Sequence, residues 1–275
     1  DKSSISNAIG LSSATFHVSR MLGPALGGLL IAGVGEQMCF AINALSFVAA
    51  LTGLWMVRLP PKEVKPVLNA GEKAAEKAVA NAKFMAVLKR PGVYTLLFLA
   101  AFVSTFGMQY SVLMPVIADK LLHGQSVAYG FLSAAGGVGA LAGALTVAFM
   151  GDRQGLRKRI GWACLGLSVA LALLALSQFV ILSVVAILAA GSCLSLHWSG
   201  GNSLMQQCVE PSSRGKLMGV YTTFTLGLAP FTALIAGWTA EHFGVSTALL
   251  ISASGMLFGS LLYLVKVRKL ADTCL

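Results

Sequence analysis

The chain has 275 residues, of which 56% are hydrophobic and 11% charged, and its mean hydropathy is +0.80. So few polar side chains cannot cover a soluble domain, so the composition excludes one and points to an all-α integral membrane protein, a polytopic helical bundle. The net charge of +10 does not indicate a nucleic-acid binder, because the basic residues lie between apolar runs rather than on a water-facing surface beside stacking aromatics.

Repeated apolar runs of about 20 residues match a hydrocarbon core of about 30 Å crossed by helices; barrel strands would be alternating segments of about ten. The chain opens on a polar run, residues 1–7, without an initiator Met or a signal peptide, and reads as cut from something longer. A first span is expected over residues 9–32. It carries Arg20 and then Gly23, Pro24, Gly27 and Gly28. A charge near the centre of a span costs about 2.5–3.5 kcal/mol on insertion scales, so it persists where a cavity, a partner or a function compensates it. Arg20 is the only Asp, Glu, Lys or Arg expected inside a span. His17 shares its helix face and reads as a hydrogen-bonded interior histidine, with titration near neutral pH as the alternative.

A second span, 38–57, completes a hairpin. A polar linker follows, opened by Leu59-Pro60-Pro61 and rich in Ala, Lys and Glu, with helical charge spacing at Glu72/Lys73 and Glu76/Lys77. The third span, 93–118, carries Gln109, Tyr110 and Pro115. The fourth, 127–150, is crowded with small residues, and Gly139 and Gly143 form an i, i+4 pair suited to close helix approach. A basic turn over 151–159 separates it from the fifth span, 160–176. The sixth, 180–207, holds a polar, glycine-broken patch of Ser195, His197, Trp198, Ser199, Gly200, Gly201 and Asn202. The seventh, 215–240, contains Pro230, and the eighth, 246–265, precedes a basic tail. The expected organisation is the end of a first half (1–58), a central linker (59–92) and a six-span half (93–275).

All the lysines and arginines except Lys120 and Arg20 fall on one side of this arrangement, which places both termini and the linker in the cytoplasm. Residues from Asp1 onward align without a gap with those from Glu210 onward, matching Gly10 with Gly219, Gly28 with Gly237 and Gly35 with Gly244. Both copies start on the same side, so the repeat is parallel and relates two halves about an axis along the membrane normal. The five cysteines show no metal-ligand spacing and read as packing residues. Neither a Walker loop, a nucleophile elbow nor an HExxH helix is present, so no ATP drive, metal, cofactor or enzymatic activity is expected.

Three segments resemble the major facilitator superfamily, and within it the branch of enterobactin exporters and macrolide efflux proteins. Gly23-Pro24-Ala25-Leu26-Gly27-Gly28 is similar to the end of the fifth-span exporter motif, with Ser19 in place of its upstream glycine. Asp152-Arg153-Gln154-Gly155-Leu156-Arg157-Lys158 is similar to the Asp-Arg-x-Gly-Arg-Lys loop motif, with Leu156 in place of a basic residue. Arg214 to Gly219, leading to Gly227-Leu228-Ala229-Pro230, looks like the entry to span eleven. The resemblance implies that the chain covers spans five to twelve of a twelve-span major facilitator fold, a monomer in the bacterial inner membrane. It also implies a secondary transporter that exports a small amphipathic substrate, a siderophore or drug, in exchange for protons.

By the same resemblance, Arg20, Gly23, Pro24, Gly27 and Gly28 form a gating seam with Gly139 and Gly143, and Asp152, Arg153, Gly155 and Arg157 hold a cytoplasmic gate. Gln109, Tyr110, His197, Trp198 and Asn202 are then expected to face the substrate path. No Asp or Glu is expected within a span, so a carboxylate for proton coupling would lie outside this chain. The competing readings are a truncated, non-transporting membrane module, and an uptake or lipid transporter of the same fold.

Overall fold

The computed structural model describes residues 34, 37–57, 79, 81–82, 84–122, 126–149, 153–207 and 211–269. Among them every regular element is helical, and seven helices are long and apolar enough to cross a membrane. The expected first span, with Arg20, Gly23, Pro24, Gly27 and Gly28, lies outside the described residues, as does Asp152.

Helix α1 (Gln37–Met56) presents Phe40, Leu45, Phe47, Leu51, Leu54 and Trp55 on its exposed surface, the covering a spanning helix offers to lipid or a neighbouring helix. The described linker residues 79, 81–82 and 84–88 are helical, and Phe84, Val87 and Leu88 pack against the core of the six-span half. Lys216 Nζ donates to Asn81 Oδ1 at 3.1 Å, tying that linker to the bundle.

The third span is two helices, α2 (Pro91–Phe102) and α3 (Gln109–Leu122), joined by a π-helical turn, π1 (Val103–Gly107). Pro91 starts α2 where the missing N–H costs nothing. Helices α4 (Ser126–Phe149), α5 (Arg153–Leu176) and α6 (Val180–Gln207) follow. The seventh span is again broken, α7 (Pro211–Thr222) and α8 (Ala229–Phe243) flanking a second π turn, π2 (Thr223–Gly227). Gly244, at φ +86°, turns the chain into α9 (Val245–Lys269), a backbone conformation that L side chains rarely adopt.

Packing runs α4 on α6, α6 on α5, α5 on α9 and α9 on α2 with π1, and α3 returns to α4, so the spans close a ring. The seventh span lies against this ring through π1, α3, α6 and α9. The interior is filled by Leu96, Leu99, Leu132, Ile160, Leu167, Leu171, Ile187, Leu204, Met205 and Leu249, all fully buried. Because lipid tails are as apolar as leucine, such helices associate through close packing rather than through hydrophobic burial alone. Glycines supply that closeness. A Cβ on Gly139 would collide with the Leu188 backbone, one on Gly143 with the Ser192 carbonyl, and one on Gly191 with the Gly136 carbonyl.

Two details differ from the sequence pattern or add to it. Gly139 and Gly143 turn their Cβ positions onto α6, and the first span expected beside them lies outside the described residues. Arg153, Gly155 and Arg157 open helix α5 instead of lying in a loop, because long basic side chains can begin a helix while their charged ends reach the membrane surface. The helices also overrun the expected spans at the other side and take in Asp119 and Glu241, each at a helix end rather than in mid-membrane.

Candidate functional site

The polar groups of the six-span half gather at the two helix breaks and along one stripe of α6. At π1, the Met108 amide bonds back five residues to the Val103 carbonyl at 3.1 Å. An α-helix would have given that amide to Ser104. The Ser104 carbonyl instead accepts from Thr232 Oγ1 of α8 at 3.3 Å. Gln109 Nε2 folds back onto the Thr105 carbonyl, which in an α-helix would take the Gln109 main-chain N–H. Gln109 and Tyr110 are both buried, at 7% and 6% exposure. Gln109 is therefore committed to its own backbone, although the sequence suggests a side chain open to the substrate path.

The sixth-span patch divides by helical phase. His197, Gly200, Gly201 and Leu204 share the face turned into the bundle, and His197 is fully buried. Its Nδ1 lies 3.5 Å from Cys164 Sγ on α5, and its Nε2 has no hydrogen-bond partner. Gly200 meets Ile160 and Leu156 of α5, and the Tyr221 hydroxyl of α7 fills the space a Cβ on Gly201 would need. Tyr263 of α9 extends the stripe toward the start of α5, where its hydroxyl donates to the Arg157 carbonyl at 3.4 Å. Trp198 and Asn202 occupy the neighbouring face and are half-buried, with Asn202 Oδ1 accepting from Gln206 Nε2 at 3.3 Å. The structure thus separates His197 from Trp198 and Asn202, and it places His197 in a helix interface.

Several contributors were not singled out from sequence: Ser104, Thr232, Cys164, Tyr221 and Tyr263. The only local signal for the breaks is composition, since Val103-Ser104-Thr105-Phe106-Gly107 and Thr223-Phe224-Thr225-Leu226-Gly227 are both rich in hydroxyl residues and end in glycine. Among the described residues no three His, Cys, Asp or Glu side chains gather as a metal site. What this arrangement offers is a helical bundle with polar, rebondable backbone at two adjacent breaks.

A family model described as transmembrane secretion effector matches residues 1–273. No curated protein matches the chain. Among solved structures, a bacterial homolog of the human lysosomal transporter Spinster, in an inward-facing and unoccupied conformation, superposes with a TM-score of 0.56 at 18% identity. The match covers 96% of this chain and 71% of that one, a likeness of fold.

Proposed function

The chain belongs to the transmembrane secretion effector family of the major facilitator superfamily, and on that premise we propose that it exports a small amphipathic compound, a siderophore or a drug, by proton antiport. Family and fold make it a multi-pass secondary transporter, whose class implies a small-molecule substrate and a bilayer. Export, the finer claim, is carried by one observation: the family that matches nearly the whole chain is one of secretion.

In this reading the chain supplies the last two spans of the first half (1–58), the linker (59–92) and the second half (93–275), as spans five to twelve of the enterobactin exporter and macrolide efflux branch. It acts as a monomer in the bacterial inner membrane with both ends cytoplasmic, supported by the basic residues at one end of the helices, Arg157, Lys158, Arg159, Lys216, Lys266 and Arg268 among them. Arg20, Gly23, Pro24, Gly27 and Gly28 belong to the moving seam, and Asp152, Arg153, Gly155 and Arg157 to the cytoplasmic gate. Tyr110, Trp198 and Asn202 flank the substrate path.

The test uses inverted membrane vesicles from an efflux-deficient host expressing the protein, energised by respiration and followed with a fluorescent amine that reports the acidic lumen. Adding enterobactin or a macrolide is expected to discharge the gradient in these vesicles and not in vesicles from the host alone. Equal traces in the two preparations would remove the antiport reading. Accumulation of labelled compound by right-side-out vesicles, against none in inverted ones, would replace export with uptake.

A further inference from the structure

The helix breaks lie side by side, π1 against π2, and one hydroxyl joins π1 to α8, the helix that follows π2. Thr232 Oγ1 has a single proton and two acceptors within reach, the Ser104 carbonyl across the interface at 3.3 Å and the Ala229 carbonyl of its own helix at 3.1 Å. It can donate to one at a time. A buried carbonyl left without a donor is costly, so the two choices must be matched by a change elsewhere.

The backbone supplies that change. In the π register Met108 N–H serves Val103 and is not available to Ser104, which accepts from the Thr232 hydroxyl, while Thr105 takes the Gln109 side chain. In an α register Met108 N–H would move to Ser104 and Gln109 N–H to Thr105, while Val103 would be served by the Gly107 N–H. Every carbonyl is again satisfied. The Thr232 proton returns to Ala229, and the Gln109 carboxamide is set free. In both registers the carbonyls of Val103, Ser104 and Thr105 each have a donor from within the helices, the condition for a two-state element inside a membrane.

The geometry points to a π-to-α register switch at Val103–Gly107, latched across the helix interface by Thr232 and within its own span by the Gln109 side chain. Moving to the α register removes the bulge, re-phases α3 relative to α2 and releases the seventh span from the third. It also exposes a carboxamide at mid-span that the π register keeps occupied. The surroundings hold α2 on one side, where Phe102 is seated on Gly259 of α9, while its other side faces π2. The switch does not depend on which compound is carried or in which direction.

Amide hydrogen exchange on the full chain in lipid nanodiscs tests it, read on peptides spanning 103–110 and, for comparison, on α5. Thr232→Val removes the cross-helix donor at nearly constant volume, which disfavours the π register by about one hydrogen bond and raises the α population roughly fivefold. Protection across 103–110 is expected to rise by a similar factor while α5 is unchanged. Thr232→Ser keeps the donor and is expected to match the parent. Gln109→Leu removes the second latch and is expected to shift the same peptides in the same direction. Unchanged exchange over 103–110 in Thr232→Val would overturn the switch, as would faster exchange spread through α5, which marks general loosening.

Discussion

Cys164 Sγ stands 3.5 Å from His197 Nδ1 in the interface between α5 and α6, with both residues fully buried. The thiol is thus the hydrogen-bonding partner of the most deeply placed histidine in the described bundle. Replacing Cys164 by Val removes the partner and keeps the site apolar. A buried polar atom left unpaired costs about 1–3 kcal/mol. Cys164→Val is expected to lower the apparent melting temperature in detergent, and a second change, His197→Leu, to recover much of the loss. An additive loss in the double variant would show that the two side chains act separately.

Thiol reactivity follows from the same burial. Cys164 is fully buried, whereas Cys39 and Cys193 are partly exposed. Membrane-permeant maleimide is expected to modify Cys39 and Cys193 at least tenfold faster than Cys164, since reaction at the latter must await an opening of the helix interface. Peptide mass spectrometry over a time course reads this directly. Equal rates at the three sites would contradict the packing of α5 on α6.

The contact between α4 and α6 depends on glycine at defined positions. Gly139→Ala and Gly143→Ala each place a methyl group against main chain, which cannot rotate away, so the helices must separate. Overpacking of this sort costs about 1–3 kcal/mol and more where backbone is the obstacle. Both variants are expected to lose monodisperse protein on size-exclusion chromatography after heating. Gly53→Ala on α1, where nothing lies within 4 Å, serves as the control and is expected to behave as the parent.

The spans themselves were legible because their signal is run length and composition, which does not depend on which face is inside. The inward face was not. In a membrane both faces of a helix are apolar, so nothing distinguishes buried Leu167 from exposed Val169 on α5. A histidine in an apolar run suggests a cavity, whereas the partner His197 has here, Cys164, lies 33 residues away and carries no pattern of its own. Gly139 and Gly143 were recognised as an approach surface, but spacing on one helix does not name the helix that approaches. The π turns escaped for a related reason: the residue that makes Ser104 tolerable there is Thr232, 128 positions later.

Lys266 near the end of α9 lies over two rings of α2, with Nζ 5.5 Å from the Tyr94 centroid and 5.6 Å from that of Phe98. Such a contact at an exposed site contributes about 0.5–1 kcal/mol. Lys266→Met is expected to lower the melting temperature slightly and Lys266→Arg to leave it unchanged. A loss of similar size in the arginine variant would assign the effect to the shape of the side chain and not to its charge.

The seating of Phe106 on Gly255 makes the strongest pairwise prediction. A Cβ on Gly255 would come within 2.6 Å of the Phe106 ring, and the ring is confined by its neighbour Phe102, whose centroid is 5.7 Å away. Gly255→Ala therefore has to displace π1 from α9 and is expected to destabilise the protein by about 1–3 kcal/mol. Phe106→Leu alone leaves a space and costs stability for the opposite reason. Combined, the smaller side chain makes room for the methyl group, so the double variant is expected to be more stable than the sum of the two losses by about 0.5–3 kcal/mol, the range found for residues in direct contact. Thermal denaturation of the four proteins in one detergent measures that coupling. Strict additivity would mean that π1 does not rest on α9.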